Sequence, residues 1–190
     1  MTKRIFSLIF AICLIFAVSG TALAKDLTNR IGLGYNNQIN AGWIGGAPAA
    51  GDVLAGSHTI SAKYWIDRNL GVEPFFGFFR AETDDMDGWA TQLGAKVPYN
   101  LIEEANMNFY AGGGLGIIAY DVDYDDDRVE GDDDVGFALM AFTGVEFFLP
   151  GLPNLAFDAE FGLQYLNVGD YSEFGTYGGG FGVFGIRYYF

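Results

Sequence analysis

One cysteine, one histidine and ten basic residues stand in the 190 residues of this chain. The cysteine, Cys13, lies in an apolar stretch near the start, and Ile12 occupies the position where a lipoprotein signal needs a small side chain. Beyond that stretch there is no thiolate for a metal and no thiol for a disulfide. The histidine, His58, is flanked by Ser57 and Thr59, with Ser61 nearby. On an extended strand His58 points away from the face that carries either serine, so neither makes a nucleophile and base pair with it. The chain is accordingly read as non-enzymatic and without a cofactor. Its 24 acidic residues against 10 basic ones give a formal charge of -14, which argues against a nucleic-acid partner. Long hydrophobic runs are also missing after the first two dozen residues. The nearest, Phe109–Tyr120, has twelve residues and four glycines, short of the roughly 20 that a spanning helix needs. If this chain crosses a membrane beyond its leader, it must do so as a closed sheet, because only helices and closed barrels satisfy their backbone groups in lipid.

What is present begins with a leader. Lys3 and Arg4 precede an apolar run from Ile5 to Val18, and Ala22-Leu23-Ala24 supplies a small-residue cleavage site. Residues 1–24 are therefore expected to be a signal peptide cleaved on export, and residues 25–190 a single barrel domain. Glycine and aromatic residues are abundant in that domain and lysine is scarce, unlike a soluble exterior that spreads charge along every element.

Period-two alternation predicts eight strands: Thr28–Asn36, Ser57–Ile66, Leu70–Phe79, Trp89–Val97, Phe109–Tyr120, Val135–Phe148, Leu155–Tyr165 and Gly178–Phe190. The seventh is the cleanest, with Leu155, Phe157, Ala159, Phe161, Leu163 and Tyr165 on one face and Ala156, Asp158, Glu160, Gly162 and Gln164 on the other. Pro74 within the third removes a ladder hydrogen bond, so a bulge or irregularity is expected there. Longer connections (Asn37–Gly56, Arg80–Gly88, Asp121–Asp134, Asn167–Thr176) alternate with Asp67–Asn69, Pro98–Asn108 and Leu149–Asn154. Only Pro98–Asn108 breaks a pattern of short turns at one end and loops at the other.

Alternation alone does not say which face looks outward. The glycine-rich face suits a narrow lumen, whereas the continuous aromatic face would aggregate in water. Its aromatics, among them Tyr35, Trp89 and Tyr165 at one end and Tyr64, Tyr99, Tyr188 and Phe190 at the other, fall where interfacial girdles belong. The fold class is thus all-β, an eight-stranded antiparallel up-and-down transmembrane barrel. The leader, the alternating strands, the run Gly112-x-Gly114-x-Gly116 and the terminal Ile186-Arg187-Tyr188-Tyr189-Phe190 resemble the small eight-stranded outer-membrane barrel family that includes OmpX and the transmembrane domain of OmpA. The resemblance implies a bacterial outer-membrane location, contact with outer-membrane lipid and lipopolysaccharide, and delivery to the barrel-assembly machinery by Ile186, Tyr188 and Phe190. It also implies a structural, adhesive or surface-interaction role; the alternative is a narrow channel for small or apolar solutes.

Two constellations carry chemistry. The inward rows hold Arg30, Lys63, Lys96 and Arg187 with Glu73, Glu146, Asp158 and Glu160, four charges of each sign. Inside an eight-stranded bore they are expected to pair and plug the lumen, since an unpaired buried charge is strongly disfavoured. The acidic stretch Asp121–Asp134 holds Asp121, Asp123 and Asp125 at the spacing that opens a calcium loop. However, Asp126 stands where that motif needs glycine and Asp132 where it needs Glu. The reading is a solvated acidic loop, with divalent cations as its candidate partners.

Overall fold

Side chains that alternate in character along the sequence must alternate in space when the chain is extended. The computed structural model describes residues 25–36, 58–83, 86–124, 132–176 and 182–190. Its strands are β1 (Ile31–Asn36), β2 (Thr59–Trp65), β3 (Gly71–Thr83), β4 (Met86–Glu103), β5 (Met107–Tyr124), β6 (Asp132–Phe148), β7 (Leu155–Val168), β8 (Tyr171–Thr176) and β9 (Val183–Tyr189). They form one sheet in the order β6-β5-β4-β3-β2-β1-β9-β7-β8, and the further pairing of β6 with β7 closes it. β8 pairs with Leu163–Val168 of β7 and β9 with Leu155–Glu160, so the two are upper and lower parts of one stave. The result is a closed antiparallel barrel of eight staves, the form in which a sheet can cross lipid.

Every predicted apolar row faces outward. Leu115 is 60% exposed and Phe161 52%, while Arg187 on an inward row is 1% exposed. This sense of alternation is the reverse of a soluble barrel. The turns β2–β3, β4–β5 and β6–β7 lie at the end of the barrel that also holds Lys25 and Phe190, here the terminal end; the other is the far end.

The structure departs from the sequence reading at several connections. The predicted long connection Arg80–Gly88 is mostly strand, since β3 runs to Thr83 and β4 starts at Met86. The predicted connection Pro98–Asn108 is mostly strand: β4 runs to Glu103, β5 starts at Met107, and Glu104 N donates to Met107 O at 2.7 Å. A register shift between Asn100 and Ile102 turns Leu101 and Ile102 both outward, which breaks the alternation on which the reading relied. The predicted loop Asn167–Thr176 is the end of β7, a two-residue turn at Gly169 and Asp170, and β8. Gly169 takes φ +53°, the left-handed conformation that a tight turn needs. At Pro74 the expected irregularity takes the form of a gap and not a bulge: the β2–β3 register is the same on both sides, and the ladder lacks pairs at Ala62 and Lys63. The walls are also unequal. β4 and β5 each have 18 residues, whereas β1 has 6 and β2 and β9 have 7.

Inside, two apolar clusters occupy different heights. Leu27, Trp65, Phe148, Ala156 and Tyr189 pack at the terminal end. A larger group that includes Phe75, Ile118, Tyr120, Met140, Phe142 and Leu166 extends toward the far end. Between them lies a layer of charge.

Candidate functional site: the charge layer in the lumen

Strand register sets this layer. On one wall Glu73 of β3 pairs across the ladder with Lys96 of β4, and Lys63 sits on neighbouring β2. On the other wall Glu146 of β6 pairs with Asp158 of β7, and Arg187 lies on β9. All six, with Glu160 two residues beyond Asp158, have inward side chains with no solvent exposure.

Contacts run across the bore. Lys96 Nζ donates to Glu160 Oε2 at 2.8 Å and to Oε1 at 2.9 Å. Arg187 Nη2 donates to Glu73 Oε1 at 2.6 Å, and Lys63 Nζ lies 3.5 Å from both Glu146 Oε1 and Glu73 Oε2. Glu73 is the hub, since Lys96 Nζ is also 3.5 Å from its Oε2. Two tyrosines complete the shell: Tyr110 OH donates to Glu160 Oε1 at 2.9 Å and Tyr189 OH to Glu146 Oε1 at 2.8 Å. Trp65 Nε1 in turn donates to Tyr189 OH at 3.1 Å. Lys63 Nζ also stands 4.5 Å over the Tyr110 ring, a cation–π contact without competing water.

Inward glycines make room for these long side chains. A Cβ at Gly32 would stand 2.7 Å from Arg187 Cδ, and one at Gly144 would stand 2.7 Å from the Tyr110 ring and 2.9 Å from Glu160 Cγ. The glycine-rich face is thus the complement of the charges. Burying charge is expensive, and such a layer is stable only if each ion keeps its partners.

Arg30 corrects the sequence reading. It is half-buried at the terminal rim, where Nε donates to Phe190 O at 3.2 Å and Nη2 to Tyr189 O at 3.1 Å and Asn154 Oδ1 at 2.9 Å. It lies one residue before β1, where the chain has not yet turned into the bore, and it fastens the last residues instead. The layer therefore holds three cations and four carboxylates. Tyr110, Tyr189 and Trp65 were not singled out by sequence as its partners; their one signal was a place on the inward rows.

Other candidates lie elsewhere. Asp121 and Asp123 are on β5, opposite Asp133 of β6 and Asp87 of β4, so the calcium-loop spacing falls on an extended strand. Asp125 lies outside the described residues. No three His, Cys, Asp or Glu side chains among the described residues are placed to hold a metal ion. His58 is exposed, with its ring 5.4 Å from that of Tyr35, while Ser61 is buried on the inward face; Ser57 lies outside the described residues. Ile186, Tyr188 and Phe190 all face outward, the last two with rings 5.1 Å apart. At the terminal mouth Lys25 Nζ sits 3.5 Å from the centre of the Phe148 ring. Burial first, then the charge of Arg30, lower its pKa from 10.5 to about 8 against the opposing pull of Glu146.

A family model described as an outer membrane protein beta-barrel domain matches residues 9–190. Among solved structures, the N-terminal β-barrel domain of Pseudomonas aeruginosa OprF aligns with a TM-score of 0.57 at 11% identity, over 87% of this chain and all of that one (100%). Neisserial surface protein A aligns with a TM-score of 0.50 at 19% identity, over 85% of this chain and 95% of that one. Ail, the attachment invasion locus protein of Yersinia pestis, gives 0.47 at 17% over 85% and 95%. No curated protein matches the sequence. With an outward apolar face, a closed antiparallel wall and a family match over nearly its whole length, this chain belongs to the outer-membrane β-barrel family and sits in the lipid of that membrane.

Proposed function

We propose that the protein is a structural and surface-interaction barrel, not an enzyme, and that its lumen is plugged by the charge layer. The supporting observation is the set of ion pairs that cross the bore, Lys96–Glu160, Arg187–Glu73 and Lys63–Glu146, all without solvent exposure and stacked between two apolar clusters. An eight-stranded barrel has room for side chains or one small ligand, and here side chains take that room. Proteoliposomes carrying the refolded protein should not swell in an arabinose gradient; swelling would favour the alternative, a narrow channel for small solutes.

Residues 1–24 serve in this reading as a cleaved signal, the terminal end faces the periplasm, and the acidic hairpins face outward toward lipopolysaccharide and divalent cations. Ile186, Tyr188 and Phe190 act as the assembly signal that the barrel-assembly machinery receives. Protease added to intact cells should cut within residues 125–131, between the ends of β5 and β6. Cleavage only after the outer membrane is opened would reverse the orientation.

A further inference from the structure

The chain just before β1 folds into the terminal mouth of the bore. Residues 25–30 belong to no strand, yet Leu27 is 3% exposed and packs in the lower apolar cluster with Trp65, Phe148, Ala156 and Tyr189. A tight turn sends it there. Arg30 N donates to Leu27 O at 2.9 Å, and Thr28 N donates to Asp26 Oδ1 at 2.9 Å. Asn29, third in the turn from Leu27 to Arg30, takes φ 61°, a conformation that asparagine adopts more readily than most residues.

The two ends of this segment are held unequally. Asn29 N donates to Trp65 O at 2.9 Å and Asn29 Oδ1 accepts from Tyr64 OH at 3.0 Å, while the Arg30 side chain is tied to Asn154, Tyr189 and Phe190. Residues 25–28 reach the wall through the packing of Leu27 and a long bond, Lys25 N to Glu104 O at 3.3 Å. Lys25 Nζ lies against the Phe148 ring and has no hydrogen-bond partner among the described residues, so seating the segment draws an ammonium from water. One buried apolar side chain, no ladder and that opposing cost make this part of low local stability, able to open while the strands stay paired. Beneath it, Trp65 Nε1 donates to Tyr189 OH, which donates to Glu146 Oε1, so the floor under Leu27 leads directly to the charge layer.

We propose that residues 25–28 are a lid on the terminal mouth: with Leu27 seated they shield the Trp65–Tyr189 floor and the charge layer from water, and they lift by opening the turn at Asn29 while the barrel remains folded. The lid rests on the reading that the leader is removed before Lys25, which leaves these residues as a free end. It does not depend on whether the lumen conducts.

The test is thiol labelling of the protein purified from outer membranes in detergent, where both ends of the barrel meet solvent. Removal of the leader takes away Cys13, so Ala156→Cys in the lower cluster supplies the one thiol, and Ala138→Cys, in the larger cluster beyond the charge layer, is the control. The probe is a methanethiosulfonate carrying a trimethylammonium group. Ala156→Cys should be modified measurably faster than Ala138→Cys, and adding Leu27→Ser should raise its rate at least tenfold and leave that of Ala138→Cys unchanged. Deletion of residues 25–28 replaces Leu27→Ser if that variant does not fold. Equal rates at the two positions would overturn the proposal, since the segment would then open only with the whole barrel. So would an Ala156→Cys rate that neither Leu27→Ser nor the deletion raises. The mass of the exported protein separates the two readings: a chain that retains residues 1–24 would overturn leader removal and the lid together, whereas a cleaved chain that fails the labelling test would overturn the lid alone.

Discussion

Lys96→Met isolates the electrostatic work of the charge layer. Methionine is also long and unbranched, so the substitution keeps most of the packing volume and opens little cavity. It removes two hydrogen bonds to Glu160, at 2.8 and 2.9 Å, and an ion pair with Glu73 at 3.5 Å. Glu73 still has Arg187 at 2.6 Å and Lys63 at 3.5 Å; Glu160 keeps the Tyr110 hydroxyl but loses this cation. Removing one partner of a buried pair costs about 3–5 kcal/mol, because the other charge stays buried without compensation. At about 1.4 kcal/mol per tenfold, the folding equilibrium should fall by about two to three and a half orders of magnitude. Urea unfolding in lipid vesicles, read by tryptophan fluorescence, measures it. Adding Glu160→Gln should recover much of the loss, since the carboxylate's charge is removed along with that of the lysine, so the double variant should be more stable than Lys96→Met alone. A Lys96→Met loss under about 0.5 kcal/mol, or strictly additive losses in the double variant, would refute the reasoning.

The same unfolding assay checks three further expectations. Gly144→Ala places a methyl against the Tyr110 ring and Glu160 and should destabilise by about 1–3 kcal/mol, the usual range for overpacking. Leu115→Arg, at mid-height on the lipid face, should cost about 2–4 kcal/mol in vesicles; no loss there would contradict the outward assignment of the apolar rows. Lys25 has a folded pKa of about 8 against 10.5, so between those values the unfolded chain binds more protons than the fold. Its contribution to stability therefore rises with pH across that window, and Lys25→Met should flatten that rise in unfolding midpoints taken at pH 7, 9 and 11.

Faces were legible in the sequence because period two leaves a side chain only two directions. Every row from Ile31-Leu33-Tyr35 to Phe184-Ile186-Tyr188 needed only that parity, and seven of the eight charges followed from it. Arg30 shares the parity of β1 but lies before the strand begins, where parity has no meaning; its hydrogen bonds to Tyr189 and Phe190 belong to the closure of the barrel. The β4–β5 hairpin was hidden by a bulge that sets Leu101 and Ile102 side by side on the outer face. β8 was hidden for another reason. Tyr171–Thr176 carries a polar, half-exposed alternation that hydropathy reads as loop, and only its pairing with β7 makes it a strand. Which charge meets which depends on the stagger of opposite walls, and no local pattern records that. Lys96 and Glu160, 64 positions apart, meet because both walls of the barrel exist.

The central claim is that the charge layer closes the bore of an outer-membrane barrel, and single-channel recording of the wild type in a planar bilayer tests it most directly. A folded, inserted protein should leave the bilayer electrically silent. Reproducible stepwise conductance from that same protein would contradict it.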